Sequence, residues 1–186
     1  MVRMLTGLPG EAYLIPPPRS CGGLVLYLDY DGVLHPDAVC VDPKRGPILV
    51  NRPGHLLFEN VGILIQLLSP YPAVKVVLST SWVRRYRGSI RRVSRGLTPA
   101  LQTRVIGGTF HSRMDPGTYA AAPRGWQIWS DVTRRRPARW LALDDDDESW
   151  PAWCRDQLVH TDSELGISAP RVRDELQAKL AAMVRE

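Results

Sequence analysis

The 186-residue sequence has few cysteines, no long apolar run and no large excess of positive or negative charge. Its three cysteines, Cys21, Cys40 and Cys154, are widely spaced and form no CxxC pair. This argues against a disulfide framework or a zinc knuckle, and it suits a reducing cytoplasm, where we expect the protein to reside. The apolar run at residues 61–68 is far shorter than the roughly 20 residues that a membrane-spanning helix needs. We therefore expect no membrane-spanning segment.

The composition is that of a globular chain, with 44% apolar and 23% charged residues. These fractions exclude wholesale disorder and collagen-like structure. The net charge of +5 permits an anionic partner without demanding one. Breakers such as Pro16-Pro17-Pro18 and Gly22-Gly23 mark residues 1–22 as a leader that we expect to be flexible, and residues 23–186 as a single domain.

Alternating apolar runs indicate the fold class. Strands buried on both faces of a parallel sheet are predicted at residues 24–28, 74–78 and 139–143, with shorter strands at 105–106 and 158–160. Helices are predicted at residues 55–68, 84–95, 125–133 and 170–185. Residues 35–53, rich in proline, glycine and charge, predict a loop or a small hairpin flap. This order of elements predicts an α/β fold with a mainly parallel sheet.

Polar residues suited to phosphate chemistry follow each of the three strong strands. Asp29 and Asp31 follow the first strand, Ser79-Thr80-Ser81 the second, and Asp144 and Asp145 the third. Ligands of open α/β sheets lie beyond the carboxyl ends of the strands, so parallel neighbouring strands would bring these residues together. Several carboxylates around a phosphate group need a hard cation, and oxygen ligands with phosphate indicate Mg²⁺.

These segments resemble the motifs of the haloacid dehalogenase (HAD) superfamily of aspartate-nucleophile phosphohydrolases. LYLDYDGVL resembles the first motif, VKVVLSTSW the second and WLALDDDDESW the fourth, while Arg124 stands for the usual lysine of the third. The pieces STSW, RVIGGT, RGWQIW and LVHTDSELGIS are most similar to a capless branch. The domains of that branch occur alone in bacteria or are associated with RNA-repair proteins.

The resemblance implies a HAD-like Rossmannoid three-layer α/β/α sandwich without a large cap domain, acting as a Mg²⁺-dependent phosphatase. Asp29 would be the nucleophile that forms an aspartyl-phosphate, and Asp31 the general acid and base. Thr80, Ser81 and Arg124 would hold the phosphoryl oxygens. The metal ligands would be Asp29, the backbone carbonyl of Asp31, and Asp144 or Asp145.

Several residues keep alternative interpretations. Ser79 and Ser81 compete with Thr80 for the phosphate role, and the family pattern favours Thr80. Asp146 and Asp147 are interpreted as a solvated acidic patch. His35 either touches the substrate or, as we favour, forms a local hydrogen bond in the flap.

The substrate is less well defined than the chemistry. The short interval between Leu34 and the first predicted helix leaves no room for a folded cap. By resemblance, capless members accept bulky substrates, so we expect a phosphorylated substrate, with RNA or DNA ends as the leading class. Arginines between Arg84 and Arg95, with Trp82 and Tyr86 as stacking faces, are candidates to bind nucleic acid, or else form a solvated helix face. The rival functions are a non-catalytic HAD-fold binding module and a small-molecule phosphatase or nucleotidase.

Overall fold

The computed structural model describes residues 17–42, 44 and 46–185. Most of the predicted leader, residues 1–16, lies outside the described residues. The strands are β1 (Leu24–Leu28), β2 (Val39–Asp42), β3 (Gly46–Leu49), β4 (Val74–Leu78), β5 (Val105–Gly108), β6 (Arg139–Asp144) and β7 (Leu158–His160). The helices are α1 (Val61–Leu68), α2 (Ser81–Arg85), α3 (Ile90–Val93), α4 (Pro99–Gln102), α5 (Pro116–Ala121), α6 (Arg124–Arg135) and α7 (Pro170–Arg185). Short 3₁₀ helices cover 94–96 and 152–157.

Five parallel strands form the central sheet in the order β5-β4-β1-β6-β7. β1 alternates its side chains between the two faces, as a strand must. Leu26 and Leu28 join the core that includes α1 and α7, whereas Val25 and Tyr27 join the core that includes α6. This arrangement confirms the predicted α/β/α sandwich with a mainly parallel sheet.

No large cap domain is inserted in the described chain between β1 and α1. The predicted flap interval contains only the antiparallel hairpin of β2 and β3, in which Val39 pairs with Leu49. The carboxyl ends of the central strands are therefore left open on this side.

Two predicted helices differ from those observed. The first begins at Val61 rather than His55, because residues 57–60 form turns and Phe58 adopts a positive φ of 64° that no α-helix tolerates. The arginine-rich stretch forms two short helices, α2 and α3, rather than one. Arg87 and Gly88 separate them with φ values of 51° and 77°, which end the first helix.

The tail helix follows the prediction closely. Val172, Leu176, Leu180 and Met183 are its buried residues, and they recur at the three- and four-residue spacing of one helical stripe. Within the described part of the chain, no helix is long and apolar enough to cross a membrane.

Candidate active site

The predicted site residues meet at the carboxyl end of the sheet because β1 lies between β4 and β6. Leu28 pairs with Leu78 on one side and with Leu143 on the other. The residues that follow, Asp29, Ser79 and Asp144, are therefore level with one another at the edge of the sheet. All three are buried. The topology thus brings together groups that are far apart in sequence.

Asp29, Asp144 and Asp145 form a carboxylate triad in which one oxygen of each lies within 4.8 Å of the others. Burial raises the pKa of Asp29, and burial with the charge of Asp29 raises that of Asp144 well above its usual range. Burial, followed by the charges of Asp29 and Asp37, raises the pKa of Asp145 to about 7. These shifts reflect the free energy needed to hold three anions together in a poorly solvated place.

The triad fits a hard divalent cation. Oδ2 of Asp144 is buried and has no hydrogen-bond partner among the described residues. A buried carboxylate oxygen without a partner is costly, and a cation at this position would satisfy it. Mg²⁺ binds preferentially to such carboxylate oxygens, so Asp29, Asp144 and Asp145 are the residues that would hold it.

Arg124, at the start of α6, lies between two of these carboxylates. Its Nη2 is 3.3 Å from Oδ2 of Asp29, and its Nε is 3.3 Å from Oδ2 of Asp144. The second contact is an ion pair without hydrogen-bond geometry, since neither atom has a hydrogen-bond partner. Burial lowers the pKa of Arg124, but the charges of Asp29 and Asp144 outweigh it and raise the pKa above its ordinary value. The guanidinium is thus a fixed positive charge beside the triad.

Gln127 holds this arginine in place. Its Oε1 accepts a hydrogen bond from Nη1 of Arg124 at 3.1 Å, and its Nε2 donates to the carbonyls of Tyr119 and Ala122. The Ser79 carbonyl also accepts from Nη1 of Arg124. Sequence reasoning missed Gln127, although its position three residues after Arg124 places both on one helix face.

The Asp31 carboxylate lies outside the triad and binds other partners. Nε2 of His35 is 3.0 Å from its Oδ1, and the indole N–H of Trp82 donates to its Oδ2 at 3.0 Å. Nδ1 of His35 accepts from the backbone N–H of Phe58 at 3.3 Å, which leaves the ring hydrogen on Nε2, facing Asp31. His35 therefore forms the local hydrogen bond that we favoured, and its partner is the predicted acid. The expected metal ligand of Asp31 is its backbone carbonyl, and that role stays a prediction.

The residues after β4 occupy three different environments. Ser79 is buried, and its hydroxyl has no hydrogen-bond partner among the described residues. Thr80 is also buried and caps α2 by accepting from the N–H of Trp82, and its hydroxyl opposes the rise that burial causes in the pKa of Asp29. Ser81 is exposed and lines a cleft of about 390 Å³ beside Arg124. Thr80 thus lies on the buried side of this segment and Ser81 on the side of the cleft.

The rest of the acidic run divides between the cleft and the surface. Asp146 lines the same cleft, and its backbone N–H donates to Oδ1 of Asp144 at 3.2 Å. Asp147 pairs with Arg155 on the surface. Asp146 is exposed at the cleft and Asp147 is half-buried on the surface, so the interpretation as a solvated patch suits both residues.

Gly32 is required for the loop that carries Asp31. Its φ is 67°, and a Cβ at this position would lie 2.1 Å from the Asp145 carboxylate. A side chain would therefore displace a member of the triad. The hydroxyl of Thr161 donates to the Gly32 carbonyl at 2.7 Å and holds the loop against the sheet.

Comparison with protein families identifies the chain. Residues 25–172 match the family described as the HAD domain in Swiss Army Knife RNA repair proteins. The match covers most of the chain, which therefore belongs to this family. Comparison with curated proteins and with solved structures gives no match. Membership in the family indicates a phosphatase-type function.

Proposed function

We propose that this HAD-domain protein is a Mg²⁺-dependent phosphatase that hydrolyses a phosphomonoester through an aspartyl-phosphate on Asp29. The observation that carries the proposal is the triad of Asp29, Asp144 and Asp145 beside Arg124. A nucleophilic carboxylate, a cation site and a fixed guanidinium are then within reach of one phosphoryl group. This is the set of groups that phosphoryl transfer through a carboxylate needs.

The proposed first step transfers the phosphoryl group to the enzyme. An oxygen of Asp29 attacks phosphorus, and the bond between phosphorus and the leaving oxygen breaks. Asp31, on its solvent-accessible side, gives a proton to that oxygen, while Thr80, Ser81 and Arg124 bind the phosphoryl oxygens. Bound Mg²⁺ would supply positive charge that reduces repulsion between the carboxylates and the phosphoryl group.

The proposed second step releases phosphate. Asp31 takes a proton from water, and the water oxygen attacks the phosphorus of the aspartyl-phosphate. The bond between phosphorus and Asp29 breaks, which frees inorganic phosphate and restores the carboxylate. One residue thus serves as acid and then as base, which requires that its carboxylate stay in place between the two steps.

A phosphatase screen tests this proposal. Wild-type protein with Mg²⁺ should release phosphate, EDTA should abolish the release, and renewed Mg²⁺ should restore it. Asp29→Asn should be inactive but folded, with a circular dichroism spectrum like that of wild type, because the amide matches the shape but is a poor nucleophile. Asp174→Asn, an exposed change on α7, is the matched control and should be fully active. Full activity of Asp29→Asn, or of the protein in EDTA, would refute the mechanism.

We also propose a nucleic-acid end as the substrate class. All six arginines between residues 84 and 95 are exposed, and none has an acidic partner among the described residues. Their charges are therefore available to phosphates of a bound strand. Trp82 does not offer the open stacking face that the sequence suggested, because it is only 7% exposed and bonded to Asp31. Electrostatic attraction, rather than stacking on Trp82, is what supports this proposal.

Salt dependence tests the nucleic-acid proposal. Changing Arg84, Arg85, Arg91 and Arg92 to Gln should raise KM for an oligonucleotide phosphate and lower the slope of log kcat/KM against log salt by up to about 3. The same change should leave kcat/KM for p-nitrophenyl phosphate nearly constant. An equal loss of kcat/KM on both substrates would favour the small-molecule phosphatase over the nucleic-acid proposal. Binding of the oligonucleotide without turnover of either substrate would favour the non-catalytic binding module.

A further inference from the structure

A groove of about 460 Å³ lies between the β2–β3 hairpin and the arginine-rich helices. Its lining is apolar and aromatic on the inside and basic at the rim. The residues that matter here are Leu57, Phe58, Trp82, Tyr86, Arg92 and Arg95. Its size is within the range of pockets that bind small organic groups. Nothing in the catalytic proposal uses this groove.

We propose that the groove binds an unpaired base of a single-stranded nucleic acid, next to the phosphate that reacts at Asp29. This inference rests on the proposed function and adds a subsite to it. Phe58 and Tyr86, the partly exposed aromatic side chains of the groove, can stack on any base, and arginines at the rim pair with the phosphates on either side of it. The occupant is single-stranded because a base inside a duplex is already stacked and cannot enter a groove.

Trp82 connects the groove to the reaction. Its ring forms part of the groove wall, and its indole N–H donates to Oδ2 of Asp31. The groove is thus separated from the proposed acid by a single indole ring. The groove and the proposed acid are therefore in contact with the same side chain, Trp82.

The charges of the two cavities decide which one takes the strand. The cleft beside Arg124 contains Asp146 and Glu148 as well as Arg84. The groove contains two arginines and, among the described residues that line it, no acid. The lining of the cleft, with Arg84 and Arg124 against Asp146 and Glu148, has no net formal charge, whereas the groove is positive and attracts a polyanionic strand more strongly. We therefore assign the strand to the groove.

The groove wall is built around a strained residue. Phe58 has a φ of 64°, which is rare for a bulky residue and has a conformational cost. Its ring packs against Gly96. A Cβ on residue 96 would lie 2.0 Å from the edge of the ring, so only glycine fits at that position. Its ring also makes an edge contact with Trp82 at a centroid distance of 5.7 Å. The fold thus holds an aromatic ring at the groove against its backbone preference.

The experiment compares hexanucleotide phosphates with and without a base on the phosphorylated nucleotide. Wild type should process the base-containing end with a kcat/KM on the order of ten-fold higher than the abasic end. Tyr86→Ala should reduce this preference to near unity. Removing the Tyr86 ring and removing the base abolish the same contact, so their effects on kcat/KM are not additive. Arg92→Gln/Arg95→Gln should lower kcat/KM for both ends.

Controls separate this inference from the proposed function. Arg113→Gln/Arg173→Gln removes the same charge at exposed positions outside the groove and should change kcat/KM less than two-fold. Glycerol phosphate is a phosphomonoester without a base, so Tyr86→Ala should hydrolyse it like wild type. If glycerol phosphate is hydrolysed but wild type treats both ends alike, the groove inference is wrong and the phosphatase stands. If Tyr86→Ala keeps the full preference for the base, the groove is not its binding site. If wild type with Mg²⁺ hydrolyses no phosphate ester, the proposed function itself fails.

Discussion

The indole nitrogen of Trp82 lies 3.0 Å from Oδ2 of Asp31, while His35 bonds the other oxygen of the same carboxylate. Both oxygens of the proposed acid and base are therefore oriented by N–H groups. Asp29, two residues earlier, faces the cation site instead. The two carboxylates of the DxD motif thus lie in different surroundings, which suits the two roles that we propose for them.

Trp82→Phe tests this separation, because it keeps an aromatic ring but removes the N–H. We expect kcat for an alkyl phosphate to fall on the order of ten-fold, since a misplaced acid protonates the leaving oxygen poorly. The fall should be much smaller for p-nitrophenyl phosphate, whose leaving group departs without a proton. Trp140→Phe, a buried change in the core of the opposite sheet face, should alter neither rate. An equal fall on both substrates would show that Trp82 acts only through the fold.

His35 offers a second test with a conservative variant. Gln can place an amide N–H near the position of Nε2, whereas Leu fills the space without a donor. We expect His35→Gln to keep kcat for the alkyl phosphate within about ten-fold of wild type and His35→Leu to lose on the order of a hundred-fold. Melting temperatures measured by circular dichroism check that both variants fold. Equal kcat values for the two variants would contradict a positioning role for His35.

Arg124 should stabilise the fold as well as the reaction. Arg124→Met leaves the carboxylates of Asp29 and Asp144 without their counter-charge. We expect the free energy of unfolding in EDTA to fall by about 3 kcal/mol at pH 8. The fall should be smaller at pH 5, where the raised pKa values let these acids take up protons. Urea denaturation measures both, with Arg173→Met as the surface control.

Bound Mg²⁺ should partly compensate for the loss of Arg124 in the free energy of unfolding. Mg²⁺ supplies charge to the same oxygens, so it should restore part of the stability that Arg124→Met loses. Arg124→Lys keeps the charge, but an ammonium cannot contact both carboxylates as the guanidinium does. The stability of this variant should lie between that of wild type and that of Arg124→Met. No difference between Arg124→Met and Arg173→Met would refute the bridging role.

The triad should also make stability depend on pH. Asp145 has a pKa of about 7 in the folded protein against 3.8 in the unfolded chain, so the folded state binds the proton more tightly. Its contribution to stability is complete below about pH 3.8 and is lost as pH rises to about 7. We expect Asp145→Asn in EDTA to reduce this fall by roughly 1–3 kcal/mol, after allowance for partial exposure.

The same argument gives the direction of the metal effect. Mg²⁺ competes with protons for the carboxylates, so it should raise the melting temperature more at pH 8 than at pH 5. Differential scanning calorimetry with Mg²⁺ and with EDTA at each pH measures this difference. A stabilisation by Mg²⁺ that is equal at both pH values would contradict the cation site.

Local pattern was sufficient for the sheet and for the strand ends. The residues of β1 and β4 match the predicted strands, because nine of their ten residues are apolar and polar residues follow each strand at its end. Convergence of the three polar strand ends followed from parallel pairing, which the observed register confirms. These features depend on neighbours in sequence or on a general rule of topology.

Features that depend on distant contacts were decided by the tertiary structure. Phe58 interrupts a helical pattern because its ring packs against Gly96 and Trp82, and no local preference encodes that contact. Trp82 was interpreted as a stacking face because its partner Asp31 is 51 residues away in sequence. The sequence alone placed two carboxylates one residue apart. Only packing gave them different surroundings, because it buried Asp29 beside Asp144, Asp145 and Arg124 and placed Asp31 against Trp82 and His35.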